Sequence, residues 1–148
     1  MADSIKEDKQ VDKIKVAFVC VHNSCRSQMA EAISKIKAAD VYDAFSAGTQ
    51  IKPQINSHAV EIIKELYGVD MNKTQKSKLL SDIPPVDVVI TMGCNVECPI
   101  VSCKLREDWG LDDPSGKGKE QFLYTAKIIE KKVLELRQKI IEMEKTNG

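Results

Sequence analysis

The apolar, β-branched run Ile14-Lys15-Val16-Ala17-Phe18-Val19 leads directly into Cys20-Val21-His22-Asn23-Ser24-Cys25-Arg26. Beyond it Met29, Ile33 and Ile36 recur at helical spacing, with Ala30 and Ala32 as good helix formers. The order is a buried strand, a seven-residue loop and a helix. Such a loop turns successive backbone N–H groups inward as an anion nest, and the helix N-terminus adds partial positive charge. A cysteine in that field is expected as the thiolate, its nucleophilic form. Arg26 offers a planar, permanently charged fork for two oxygens of a tetrahedral oxyanion. Asn23 suits the middle of the loop because Asn tolerates left-handed backbone. Ser27 is placed to donate to the Cys20 sulfur and steady it as a leaving group. Val21, His22, Asn23, Ser24, Cys25, Arg26 and Ser27 together form the expected oxyanion cradle. A buried structural cysteine followed by an unrelated arginine is the competing reading; the flanking strand, the helix and Ser27 favour chemistry.

The rest of the chain repeats the strand–helix alternation. A second strand is expected at Val41 to Ala47, ended by Gly48. A helix then starts at Asn56 or Ser57, carries Ala59, Ile62, Ile63 and Leu66 on one face, and stops at Gly68. Pro84-Pro85 breaks the chain before a third strand, Val86 to Thr91, and a weak fourth lies near Leu105 to Asp108. Ala126, Ile129, Val133, Leu136, Ile140 and Met143 mark a long amphipathic C-terminal helix, expected to pack on the sheet. This order predicts an α/β fold with right-handed crossovers and a mostly parallel sheet covered on both faces. Ligands of such sheets bind at the carboxyl ends of the strands. The Cys20 loop, the Thr91 to Cys98 stretch and Asp112-Asp113-Pro114 would all open there. Residues 1–12 read as a disordered polar leader and 13–148 as one domain.

Charge and cysteine usage narrow the function. The 148 residues hold 22 Lys plus Arg and 22 Asp plus Glu, a formal net charge of zero. A nucleic-acid binder or membrane-surface protein needs a basic excess, so neither is expected. There is no apolar run long enough for a membrane helix and no signal-peptide core near the N-terminus, which points to the cytoplasm; a monomer is expected. Five cysteines are then expected as reduced thiols. They fall in two groups: Cys20 and Cys25, then Cys94, Cys98 and Cys103. The second group reads as redox thiols, as inert core residues, or as zinc ligands, the last disfavoured by three cysteines with no nearby His.

The stretch Cys20-Val-His-Asn-Ser-Cys-Arg-Ser-Gln-Met-Ala-Glu31 resembles the loop of low-molecular-weight tyrosine phosphatases and, more closely, of the arsenate reductases sharing their fold. Ser46-Ala-Gly48, Thr91-Met-Gly-Cys-Asn-Val-Glu-Cys-Pro99 and Trp109-Gly-Leu-Asp-Asp-Pro114 continue the likeness over about residues 14 to 140. It implies a three-layer fold on a four-stranded parallel sheet. It further implies Cys20 as nucleophile, Arg26 as oxyanion fork and Asp113 as the acid that protonates the departing oxygen. In the reductase branch Cys94 is the first resolving thiol and Cys98 the outer one, read by a thiol reductant such as thioredoxin; no prosthetic group is required. The alternative is a phosphatase hydrolysing phosphate monoesters through a Cys20 phosphoenzyme. Aromatic usage favours the reductase, since Ser115-Gly-Lys-Gly-Lys119 follows Pro114 where phosphatases carry tyrosines. Thioredoxin-linked members have a longer gap between the two resolving cysteines, and Cys103 is additional, so Cys98 or Cys103 could complete the relay. His22 stands where much of the superfamily has Gly and is expected to face solvent, whereas Cys25 is expected to be structural. Bonding of Cys94 to Cys98 calls for a mobile 92–104 segment. Some members bind potassium beside the loop, and the resemblance maps that site onto Asn23, Glu31, Ser46 and Asp70.

Overall fold

A computed structural model describes residues 13–21, 23, 25–50, 54–93, 104–112, 114 and 116–147. The leader expected at residues 1–12 lies outside them. Strand β1, Ile14–Cys20, is followed by helix α1, Arg26–Lys37, strand β2, Tyr42–Gly48, and helix α2, Ser57–Tyr67. A single turn α3, Met71–Thr74, and a 3-10 turn, Leu80–Asp82, precede strand β3, Val88–Thr91. Strand β4, Leu105–Asp108, and helix α4, Lys119–Asn147, complete the order. The four strands pair in parallel in the order β2-β1-β3-β4, as the alternation predicts.

The period of two along β1 explains both faces of the sheet. Val16, Phe18 and Cys20 point into the larger core with Met29 and Ile33 of α1, Ile62 and Ile63 of α2, and Ile129, Val133, Leu136 and Ile140 of α4. Ala17 and Val19 point the other way, to Val86 and Val89 with Phe45, Leu80 and Ile83 packed against them. The expected third layer is therefore thin. Among the described residues a 3-10 turn, not a long helix, covers that side. β4 is half-buried, as suits an edge strand of sequence Leu-Arg-Glu-Asp.

Element ends follow local chemistry. The Asn56 side chain accepts from the backbone N–H of His58 and Ala59, capping α2, and Gly68 closes it with φ 73°, where a left-handed residue is required. Ile36 and Leu66, expected in the core, are exposed although Ala38 and Tyr67 just beyond them reach the main core, so each lies on its helix's outward side. The third strand begins at Val88, later than expected, although Asp87 N already donates to Lys15 O at 2.9 Å just ahead of it. Among the described residues no helix is long and apolar enough to cross a membrane.

Candidate active site

β1 lies inside the sheet, so Cys20 emerges between neighbours on both sides. Cys20 pairs with Gly48 of β2 and Val19 with Thr91 of β3, and Met92 N donates to Val19 O at 3.1 Å. The carboxyl ends of β1, β2 and β3 thus open on one edge. The two sequence regions that hold the cysteine groups begin side by side there. His22 and Ser24 of the loop lie outside the described residues.

Asn23 is the only non-glycine among the described residues with positive φ, at 51°, as expected for the middle of the loop. It is wholly buried and held on every side. Its Nδ2 donates to Ser27 Oγ at 2.9 Å, and its Oδ1 accepts from Gln28 Nε2 at 3.0 Å and from Lys78 N at 2.8 Å. Its backbone carbonyl accepts from Gln28 Nε2 and Ser77 Oγ, each at 2.9 Å. Ser27 Oγ lies 2.8 Å from Cys20 Sγ. Because Asn23 donates to that oxygen, the Ser27 proton can point at the sulfur. Cys20 is 4% exposed, so the hydrogen bond acts in a largely dry setting.

Arg26, also buried, draws three stretches together. Its Nη1 donates to Met92 O at 2.9 Å and to Leu111 O at 2.7 Å. Met92 follows β3 and stands two residues before Cys94 in sequence; Leu111 follows β4 and stands two before Asp113. Asp108 braces the same edge, its Oδ1 accepting from Thr91 Oγ1 and Gly93 N, each at 2.8 Å. Trp109 packs on Phe18 beneath it, ring centroids 5.4 Å apart.

Asp113, Cys94, Cys98 and Cys103 lie outside the described residues, as does most of the expected mobile segment. Its ends correct the expected span. Met92 is fully buried, Gly93 is held by Asp108, and Lys104 N donates to Asp87 O at 2.7 Å, because the sheet edge ties them. Cys25 is buried in the main core beside the loop, in keeping with a structural role.

Of the four residues mapped as potassium ligands, Ser46 Oγ donates to Glu31 Oε1 at 2.5 Å, while Asn23 joins this pair only through Lys78. Asp70 is not brought in: its carboxylate accepts from Asn72 N at 3.0 Å and caps α3, and no hydrogen bond or ion pair joins it to Glu31 or Ser46. Gln28, Ser77 and Lys78, which do hold the loop, were not singled out from the sequence. Gln28 sits in a strong helical pattern, and Ser77 and Lys78 in the patternless polar stretch Lys73-Thr-Gln-Lys-Ser-Lys78; only tertiary contact reveals them.

Comparison with known proteins agrees with this edge. The model of the low molecular weight phosphotyrosine protein phosphatase family matches residues 15–146. A protein named arsenate reductase 1 from Staphylococcus epidermidis is 34% identical over 116 residues, covering 76% of this chain and 86% of that protein. A solved arsenate reductase in a phosphate-binding state superposes with a TM-score of 0.78 at 35% identity, covering 86% of this chain and 98% of that one. A thioredoxin-dependent arsenate reductase from Corynebacterium glutamicum superposes with a TM-score of 0.72 at 29% identity, over 90% of this chain and 64% of that one.

Proposed function

The chain belongs to the low molecular weight phosphotyrosine protein phosphatase family, and within it we propose that the protein is an arsenate reductase. Arsenate docks in the Cys20–Ser27 loop on inward N–H groups and the Arg26 guanidinium. The Cys20 thiolate attacks arsenic, an As–O bond breaks, and Asp113 protonates the departing oxygen, which leaves as water. Cys94 then attacks Cys20 Sγ. The S–As bonding pair moves onto arsenic, which departs as arsenite, and a Cys20–Cys94 disulfide remains. Cys98 attacks Cys94 Sγ, the Cys20 thiolate is released, and the new Cys94–Cys98 disulfide is returned to dithiol by a reductant such as thioredoxin. Side-chain thiols carry all the electrons, so no prosthetic group is needed. The reaction belongs in the cytoplasm, where thiols are kept reduced. Zero net charge fits a small oxyanion better than nucleic acid, and a monomer suffices because every proposed group is on one chain.

One observation carries the reading: Arg26, beside the nucleophile, hydrogen-bonds the two stretches that run on to Cys94 and to Asp113. Relatives named arsenate reductases do not favour the phosphatase alternative. The test is mass spectrometry of disulfides after one arsenate turnover. Cys94–Cys98 is expected in the natural protein, and Cys20–Cys94 trapped in Cys98→Ser. Recovery of five free thiols alongside rapid release of phosphate from an aryl phosphate would replace the reductase by the phosphatase. Cys103 in the final disulfide would move the outer role from Cys98.

A further inference from the structure

Lys78 reaches two of the residues onto which the resemblance maps a cation, Glu31 and Ser46. Its backbone already belongs to the site: Lys78 N donates to Asn23 Oδ1 at 2.8 Å, and Lys78 O accepts from Gly48 N at 2.9 Å, beside the isolated bridge between Gly48 and Leu79. That placement brings its side chain back over β2. Lys78 Nζ lies 3.3 Å from Glu31 Oε1, 3.4 Å from Ser46 Oγ and 3.1 Å from Lys76 O. The Lys78 side chain is 16% exposed and that of Glu31 5%.

The oxygens that could ligate potassium are thereby spent. Glu31 Oε1 meets Ser46 Oγ and Lys78 Nζ, Glu31 Oε2 accepts from Lys35 Nζ at 2.5 Å, and Asn23 Oδ1 takes two donors. One buried carboxylate faces two ammonium groups, so a further cation would be repelled as well as unligated. Asp70, the remaining mapped ligand, is committed to α3. The residues present do not fit a potassium ion.

We infer that Lys78 is a tethered cation that neutralises Glu31 and positions the oxyanion loop through Asn23 and Ser46, so that the loop works without potassium. Lys78 is a positioning residue, since its contacts are with Asn23, Glu31, Ser46 and Lys76 O. The inference rests on the loop being an oxyanion site but not on arsenate being its substrate.

The experiment measures inorganic phosphate affinity by calorimetry, and thermal unfolding, for the reduced full chain in potassium, sodium and tetramethylammonium chlorides at equal ionic strength. The natural protein is expected to show the same affinity and melting temperature in all three salts. Lys78→Met is expected to bind phosphate about tenfold more weakly in tetramethylammonium, with partial recovery in potassium, whereas Lys78→Arg stays within about threefold of the natural protein. Rescue by a small cation separates a charge role from mere packing. A severalfold gain in affinity or a higher melting temperature for the natural protein in potassium overturns the inference, as does a Lys78→Met chain that binds like the natural one. If Lys78→Met does not fold, the salt comparison on the natural protein decides alone. If the natural protein binds no phosphate in any salt, the oxyanion reading fails, and the melting temperatures still judge the tethered cation.

Discussion

Gly48 shows how little room the loop leaves. A Cβ there would lie 2.6 Å from Val21 O, 2.7 Å from Gln50 O and 2.9 Å from Asn23 N, all backbone atoms that move only with the loop. Gly48→Ala is therefore expected to cost about 3 kcal/mol in chemical denaturation and to weaken phosphate binding with it. Asn23 combines two requirements, a left-handed backbone and a side chain that joins Ser27, Gln28 and Lys78. Glycine meets the first and alanine neither. Both Asn23→Gly and Asn23→Ala should lower arsenate reduction, with Ala less stable than Gly by about 1 kcal/mol on denaturant titration. Equal stability of the two would mean that φ at this position carries no cost. The left-handed Asn was legible in the sequence because it depends on neighbours within the loop. Lys78 was not, since its partners Glu31 and Ser46 are 47 and 32 residues away.

The α1–β2 contact contains a titratable device. Tyr42, fully buried at the start of β2, shares a 2.7 Å hydrogen bond with Ser34 of α1, and burial pushes its hydroxyl up to about 12 from an ordinary 10. A raised folded-state value means that the unfolded chain loses its proton first. The contribution is therefore complete below pH 10 and is lost as pH rises towards 12. Across that window the natural protein should lose about 2–3 kcal/mol more stability than Tyr42→Phe, which at neutral pH is weaker by about 1 kcal/mol for the lost hydrogen bond. Parallel alkaline curves in urea titrations would count against this. Tyr67, raised first by burial and then by its bond to Glu130, is common to both proteins and cancels. The period of two in β1 and the caps of α2 were readable from sequence because they are local rules. The exposure of Ile36 and Leu66 was not, because it depends on how each helix is turned against its neighbours, with Ala38 and Tyr67 facing the core instead.

Across the whole molecule, α4 serves the site indirectly. Ile129, Val133, Leu136 and Ile140 are buried against the α1 and α2 side of the core, and Arg137 pairs with Asp40 at 2.6 Å, keeping that carboxyl below its usual range mainly through the hydrogen bond. Ile129→Ala should cost about 2–5 kcal/mol through the cavity it leaves, yet kcat/KM for arsenate in the folded fraction should stay within about twofold. A large fall in kcat/KM without a fall in stability would show that α4 shapes the site directly. The crossing of Arg26 to Met92 and Leu111 belongs to this level too, since it joins residues 66 and 85 positions away.

Short-range physics made the strand–loop–helix order, the parallel sheet and the left-handed Asn23 deducible from the order of residues alone, because periodicity, turn preference and helix capping act over a few positions. The folded chain decided what those rules do not reach. It chose the anchors of Arg26, left Asp70 at the start of α3 and brought Lys78 onto Glu31, since packing can bring opposite charges together at any distance along the chain.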